Sequence, residues 1–117
     1  LEFRRVLFRS RQIVFSRSRT AADAAGEVEV TAEDPLAVVR RLKQESGTGI
    51  WLCGGGSLAS ALLPAIDELV LKVNPVVLGR GVPLFGTDPA IEEPQRWRTV
   101  GSERFEDGVV RQRLVAA

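Results

Sequence analysis

The stretch "IWLCGGGSLASALLPAIDELVL", residues Ile50–Leu71, decides the fold because it sets three consecutive glycines between two apolar runs. The near-continuous apolar run "GIWLC", Gly49–Cys53, is typical of a strand that is covered on both faces. A helix is predicted to open at Ser57 and to end at Pro64, because a proline ring clashes with the turn before it. The alternation in "DELVLKVN" then predicts another strand.

The residues before this stretch predict two strands and a helix. "RQIVFS", Arg11–Ser16, carries β-branched and aromatic side chains, and "EVEVTA", Glu27–Ala32, alternates between apolar and polar residues. In "EDPLAVVRRLKQESG", Asp34 is placed to cap the free amides of a helix, and Pro35 suits its first position. Gly47 is expected to end that helix in a left-handed conformation.

The residues after the stretch predict a loop and a hairpin. "PVVLGRGVPLFG" contains two prolines and three glycines, which favours an extended loop. "RWRTVGSERFEDGVVRQRLVA" is typical of a hairpin, with Asp107–Gly108 as a two-residue turn. The order of elements predicts an α/β fold: a mixed, mostly parallel sheet flanked by helices, with an antiparallel hairpin at its C-terminal end.

Composition excludes several classes of function. The 117 residues suit one domain, and a net charge of +1 provides no basic field for nucleic acid. The absence of histidine excludes imidazole metal sites and His-based triads, so no metal is expected. One cysteine allows no internal disulfide and fits a cytoplasmic protein. No apolar run approaches the roughly 20 residues of a membrane span, so no membrane partner is expected.

The first ten residues, "LEFRRVLFRS", differ from the rest of the chain. They are rich in arginine and lack turn residues, and "LEF" is similar to residues encoded by cloning sequence. We expect Leu1–Ser10 to be a non-native extension and residues 11–117 to form the domain. The alternative is a native basic strand.

Glycines between a strand and a helix are typical of a phosphate site. The free N–H groups and the partial positive charge at a helix start attract an anion, and glycine lets it approach the backbone. Gly54, Gly55, Gly56 and Ser57 are therefore candidate ligand-binding residues, and Leu58 is expected to anchor the helix. The alternative is a tight turn in which glycine serves packing alone.

The same glycines also satisfy the dinucleotide pattern G-x-G-x-x-A, with Gly54, Gly56 and Ala59. A Rossmann site requires an acidic residue at the end of the following strand to bind the ribose hydroxyls. Here that strand ends in Val73–Pro75, which contains no acid. The context therefore argues against Rossmann-type NAD binding.

A second candidate anion site follows the strand Arg11–Ser16. The residues 16–20, "SRSRT", combine hydroxyls with guanidinium groups, which bind phosphate bidentately. The alternative is a solvated basic loop. Two anion sites at strand ends would suit a ligand with a diphosphate and a separate phosphate, such as NADPH, because ligands of open α/β sheets bind beyond the carboxyl ends of strands.

In their order along the chain, several motifs resemble the bacterial dihydrofolate-reductase-like family that includes the C-terminal reductase domain of RibD, a riboflavin-biosynthesis protein. They are "IVFSRS", the glycine triplet with Ser57 and Leu58, "DEL", "NPVVLG", "PLF" and the "FEDGVV" hairpin. The resemblance implies a dihydrofolate-reductase-like fold that lacks its N-terminal third here, together with the first strands and most of the substrate pocket. It also suggests a homodimer.

The resemblance implies roles for particular residues. Ser16 and Arg17 would contact the adenosine 2′-phosphate of NADPH, while Gly54–Gly56 and Ser57 would contact the diphosphate, with Leu58 close by. The expected activity is NADPH-dependent reduction of a pteridine or pyrimidine heterocycle, of the dihydrofolate reductase or 5-amino-6-(5-phosphoribosylamino)uracil reductase type. The alternative is a non-catalytic nucleotide- or phosphate-binding fragment, and the sequence identifies no catalytic residue.

The remaining reactive or aromatic residues favour structural roles. Cys53 and Trp51 are expected in the core, because no histidine is present to activate the thiol. Asp67 and Glu68 are adjacent, so on a strand they point to opposite faces and cannot form a paired-carboxylate site. One of them is expected in an ion pair, and Trp97 at a surface or a subunit interface.

Overall fold

The computed structural model describes residues 11–20, 28–86 and 92–117. The predicted segment Leu1–Ser10 and residue Glu27 of the second strand lie outside these ranges. Within them, the helices and strands follow in the order β1 (Gln12–Phe15), β2 (Val28–Thr31), α1 (Pro35–Lys43), α2 (Gly56–Leu62), a 3₁₀ turn (Leu63–Ala65), β3 (Glu68–Val73), β4 (Trp97–Arg104) and β5 (Val110–Ala116).

The strands form two separate sheets. β1 pairs with β2 in parallel, with Gln12 opposite Val28 and Phe15 opposite Thr31. The second sheet has the order β3-β5-β4, and both of its pairings are antiparallel. The mixed α/β fold is confirmed. Among the described residues, however, parallel pairing is confined to β1 and β2, so the parallel share is smaller than the sequence pattern indicates.

The reason lies in Gly49–Cys53, which does not form the predicted strand. This run connects α1 to α2 without joining either sheet. The side chain of Trp51 is 83% exposed, and Cys53 is also exposed, so placing them in the core was wrong. An apolar run indicates that its residues would be buried if other strands lay beside them. It does not show that such strands are present.

Helix α1 begins as the sequence predicts and ends differently. The carboxylate of Asp34 accepts a hydrogen bond from the amide of Ala37 at 3.0 Å, and Pro35 is the first helical residue. The predicted stop at Gly47 was wrong, because the helix ends at Lys43 with Gln44 as a right-handed cap. The amide of Gln44 donates to a carbonyl of the last turn, so no left-handed residue is needed.

The core lies between the two helices. α1 packs against α2 and against the 3₁₀ turn. The buried hydrophobic residues on these elements are Val38, Val39, Ala59, Leu62 and Leu63. α2 begins at Gly56, one residue earlier than predicted, and Pro64 lies in the 3₁₀ turn that ends it, as expected. This small core fixes the start of α2 relative to α1.

The C-terminal hairpin is confirmed, but its turn is longer than predicted. The amide of Phe105 donates to the carbonyl of Val109 at 2.9 Å, and the amide of Gly108 donates to the carbonyl of Phe105 at 3.0 Å. These bonds enclose three loop residues, 106–108, with Gly108 at φ 89°. A turn followed by a left-handed glycine is the usual three-residue hairpin loop. The prediction of a two-residue turn was therefore wrong.

A bulge interrupts β4 at Val100. Thr99 lies opposite Leu114, and Gly101 lies opposite the next residue of β5, Arg113. Val100 is the extra residue between them, and its side chain is exposed. The bulge brings Glu103 opposite Arg111, where the two side chains form an ion pair at 2.6 Å.

Candidate functional site

Two of the three glycines form an open bend before α2. Gly54 has φ 101°, a conformation that residues with a side chain rarely adopt. Gly55 is the N-cap residue of α2, and the peptide bond between the two glycines is cis. A Cβ atom built on either residue would meet no heavy atom within 4 Å. The backbone of the bend can therefore be approached directly from solvent.

Gly56 has a different role from its two neighbours. A Cβ atom on Gly56 would lie 2.6 Å from the carbonyl oxygen of Pro83 and 2.9 Å from the amide nitrogen of Gly86. The residue is glycine because the turn 83–86 packs directly on its backbone. Packing therefore explains why position 56 is glycine. It does not explain Gly54 and Gly55, where the space for a side chain is open.

The start of α2 offers unpaired backbone donors next to this bend. The first backbone hydrogen bond of the helix runs from the amide of Ala59 to the carbonyl of Gly55, at 2.9 Å. The amides of residues 56–58 precede it and donate to no backbone carbonyl within the described ranges. Ser57 is exposed and Leu58 is half-buried. Such donors bind anions.

The loop after β1 is ordered by Ser16. Its hydroxyl oxygen accepts hydrogen bonds from the amides of Ser18 at 3.4 Å and of Arg19 at 3.0 Å. The amide of Ser16 donates to the carbonyl of Thr31 at 2.9 Å, which extends the pairing of β1 with β2 by one bond. These contacts fix the backbone on both sides of Arg17.

The guanidinium of Arg17 is exposed and forms no ion pair or hydrogen bond with the described part of the chain. Arg11, at the other end of the same strand, donates to Glu29 at 2.6 Å. That hydrogen bond raises the pKa of Arg11 and lowers the pKa of Glu29. Arg17 is therefore a cation available to an external anion, and Arg11 is already paired with a carboxylate.

The predicted site residues thus lie in two groups. Ser16 and Arg17 follow β1, and Gly54–Leu58 form the bend and the first turn of α2. No hydrogen bond or ion pair connects the two groups within the described residues. Each group presents polar atoms to solvent, and their use by a single ligand stays a prediction.

The carboxylates near the start of β3 are held in ion pairs. Asp67 accepts a hydrogen bond from Lys43 at 2.8 Å, and Glu68 accepts one from Arg113 at 2.6 Å. The interaction with Glu68 raises the pKa of Arg113. The expectation of an ion pair is confirmed, and for both residues. Among the described residues, no group of three acidic, cysteine or histidine side chains could hold a metal ion.

Sequence reasoning missed two features of this region. The turn 83–86 packs on the backbone of Gly56, and the signal that could have found it is Gly86, with φ 65° directly after "PLF". The second feature is an open concavity of about 390 Å³ beside Trp97, lined also by Leu63, Pro64, Ile66, Gln95 and Arg96. Trp97 was predicted at a surface, and it is half-buried there.

Comparison with known proteins identifies the family. The chain matches the RibD C-terminal domain over residues 2–111, and it belongs to that family. It is 39% identical over 79 residues to the uncharacterized protein YwjB of Bacillus subtilis (strain 168), covering 66% of this chain and 44% of YwjB. It is 34% identical over 113 residues to YyaP of the same organism, covering 93% of this chain and 56% of YyaP. The chain therefore spans about half the length of these relatives.

Solved structures share the fold. A protein of Shewanella sp. PV-4 named for riboflavin biosynthesis superposes with a TM-score of 0.76 at 21% identity, covering 99% of this chain and 70% of that one. The deaminase/5-amino-6-(5-phosphoribosylamino)uracil reductase of Thermotoga maritima gives 0.67 at 21% identity, covering 95% and 33%. A pyrimidine reductase-like protein of Corynebacterium diphtheriae gives 0.59 at 18% identity, covering 90% and 49%. These likenesses confirm the dihydrofolate-reductase-like RibD fold predicted from the motifs.

No helix in the described part of the chain has both the length and the apolar character needed to cross a membrane.

Proposed function

We propose that this chain carries the cofactor site of an NADPH-dependent reductase that acts on a pteridine or pyrimidine heterocycle. Membership of the RibD C-terminal domain family supports the reductase class. The names of two structural neighbours, a uracil-derivative reductase and a pyrimidine reductase-like protein, support the substrate class. NADPH supplies the hydride when bound, and the residues of the chain bind and orient the cofactor.

The open glycine bend is the observation that carries the proposal. Nothing lies within 4 Å of the positions where Gly54 and Gly55 would carry a side chain. The unpaired amides at the start of α2 are adjacent in sequence. A diphosphate needs both features, namely donors and room for its oxygens to reach them. Ser57 adds an exposed hydroxyl to the same bend.

Arg17 and Ser16 fit the second phosphate of NADPH. The guanidinium of Arg17 is exposed and unpaired within the described residues, which leaves its planar set of donors available. The hydroxyl oxygen of Ser16 accepts two backbone amides, so its own O–H remains able to donate to a phosphate oxygen. This pair would distinguish NADPH from NADH, which lacks the 2′-phosphate.

The second candidate function is nucleotide binding without turnover. Two observations favour it for the described residues. Asp67 and Glu68 are engaged in ion pairs and are poorly placed to transfer protons. The apolar run before the bend is exposed, so it does not provide the dry surroundings that hydride transfer requires.

Cofactor titration tests the proposal. We expect the unaltered chain to bind NADPH more tightly than NADH, and Arg17→Ala to weaken NADPH binding about 10- to 100-fold, the effect of one charge-assisted contact. Its affinity for NADH should hardly change. Arg40→Ala is the matched control, because Arg40 is an exposed arginine on α1. Equal affinity of the unaltered chain for both cofactors would contradict the assignment of Arg17.

A turnover assay separates the two candidate functions. Loss of NADPH absorbance in the presence of candidate heterocycles, measured beside a full-length relative such as YyaP, would report reduction. Tight NADPH binding without oxidation by this chain, while the relative turns over, would favour the non-catalytic alternative.

A further inference from the structure

The concavity beside Trp97, called the Trp97 concavity below, lies where the 3₁₀ turn meets the start of β4 and the end of β5. Its volume of about 390 Å³ is within the range of small-molecule sites. The apolar part of its wall is formed by Leu63, Pro64, Ile66 and the half-buried ring of Trp97. Leu63 is 7% exposed, so the concavity reaches the edge of the core.

Three consecutive residues add polar groups to the lining of the Trp97 concavity. Arg96 carries a guanidinium, Gln95 a side-chain amide, and Trp97 one indole N–H. Within residues 11–20, 28–86 and 92–117, none of these side chains forms a hydrogen bond or an ion pair. Donors outnumber acceptors, since only the amide of Gln95 contains an acceptor oxygen. The lining therefore favours a ligand that accepts hydrogen bonds.

The charges around the concavity favour an anion. Arg96 is exposed and forms no ion pair with a carboxylate of the described ranges, including Glu92 and Glu93, which are close to it along the chain. Asp67, directly after the 3₁₀ turn and Ile66, is paired with Lys43, whose ammonium donates to its carboxylate at 2.8 Å. The cation of Arg96 is thus available to a ligand.

The Trp97 concavity lies at the opposite end of α2 from the open glycine bend. α2 contains seven residues, Gly56–Leu62, and the 3₁₀ turn follows it directly. At a rise of about 1.5 Å per residue, the helix separates the two features by about 10 Å. A small ligand in the concavity would not occupy the bend, so the proposal below does not rest on NADPH binding.

We propose that the Trp97 concavity binds a small aromatic carboxylate. The ring of the ligand packs against Trp97 and the aliphatic wall, and its carboxylate accepts hydrogen bonds from Arg96 and Gln95. Aromatic pairs gain more than the burial of their area alone, and a guanidinium matches the two oxygens of a carboxylate. A neutral aromatic compound would leave Arg96 without a partner, and a small inorganic anion would leave the apolar wall uncovered.

NMR titration of the 117-residue chain tests the proposal with two ligands of similar shape, 1-naphthoate and the neutral 1-naphthalenemethanol. The chain has two tryptophans, and Trp51→Phe identifies the indole N–H signal of Trp97. We expect 1-naphthoate to shift this signal to saturation with a Kd of about 1 mM, which suits a ligand of this size. The signal of Trp51, which lies outside the concavity, should not move.

The preference for the charged ligand tests the role of Arg96. An exposed ion pair strengthens binding up to about fivefold, so the unaltered chain should bind 1-naphthoate about three- to fivefold more tightly than the alcohol. Arg96→Ala should abolish this preference and leave the affinity for the alcohol unchanged. Arg98→Ala is the matched control and should retain the preference, because Arg98 is an exposed arginine of β4 that does not line the concavity.

The proposal would be overturned if 1-naphthoate left the Trp97 signal unchanged, or if the unaltered chain bound both ligands equally. The same preference in Arg96→Ala as in the unaltered chain would also overturn it. A Trp97 signal that moves when the chain alone is diluted would show that a second copy covers the concavity. That result would contradict the assignment of a small ligand.

Discussion

Replacing Gly56 with alanine should destabilise the chain by about 2 kcal/mol, because the new methyl group meets backbone atoms. The Cβ atom would lie 2.6 Å from the oxygen of Pro83, where ordinary contacts begin at 3.4 Å, so the turn 83–86 must retreat by about 0.8 Å. The turn cannot yield by a side-chain rotation, since the opposing atoms are main chain. For a domain of this size the loss corresponds to a Tm lower by roughly 6–12 °C, measurable by thermal unfolding.

The matched control is Gly55→Ala. Gly55 lies in the extended region, with φ −99° and ψ −160°, and a Cβ atom there would have no neighbour within 4 Å. Its stability cost should stay below about 1 kcal/mol, as expected at an N-cap position. The two variants should rank in the opposite order for NADPH affinity. At temperatures where both variants are folded, Gly55→Ala should bind NADPH more weakly than Gly56→Ala. If Gly56→Ala unfolds at the same temperature as the unaltered chain, the packing role assigned to Gly56 is wrong.

Two further predictions concern stability. Asp34→Ala should lower the free energy of unfolding by about 1 kcal/mol in urea titration, because the amide of Ala37 loses its acceptor, and Asp34→Ser should recover most of it. Glu29 has its pKa lowered from 4.5, chiefly by the hydrogen bond from Arg11. Its contribution to stability is therefore present above pH 4.5 and lost as the pH falls through the lower pKa of the folded state. Stability measured between pH 7 and pH 3 should fall more steeply for the unaltered chain than for Glu29→Gln, and identical slopes would exclude this contribution.

Most of the elements predicted from local signals are present in the structure. β1, β2, α1, β3 and the C-terminal hairpin each follow from a short pattern that needs no distant partner to be recognised. The cap at Asp34 is the clearest case. Its carboxylate accepts a hydrogen bond from the amide of Ala37, three residues later, and this local contact determines where α1 begins.

The features that sequence reasoning missed depend on distant parts of the chain. Gly49–Cys53 has the composition of a central strand, but a strand exists when neighbours pair with it. The packing role of Gly56 is set by Pro83 and Gly86, which are far along the chain. The hairpin turn is one residue longer than predicted because Phe105 pairs with Val109 at its closed end. The residues "EDG" alone do not determine which two residues form this closing pair.

The sequence predicted which residue types form the candidate site, but it did not predict the role of each individual residue. The three glycines look equivalent in sequence, yet they have different surroundings. Gly54 and Gly55 have open space where a side chain would lie, whereas the turn 83–86 packs on the backbone of Gly56. Arg17 and Arg11 are likewise equivalent by residue type. Arg11 is paired with a carboxylate across the parallel sheet, and that difference requires the register of β1 with β2.

The bulge at Val100 makes β4 unusually tolerant of a change in its length at one position. Because Val100 has no opposite residue in β5, deleting it would leave the pairs Thr99–Leu114 and Glu103–Arg111 in their present register. Deletion of a residue of β4 away from the bulge would shift one part of the strand and turn its side chains to the opposite face. Homologous chains that differ by a single residue in this hairpin should therefore have the gap at this position.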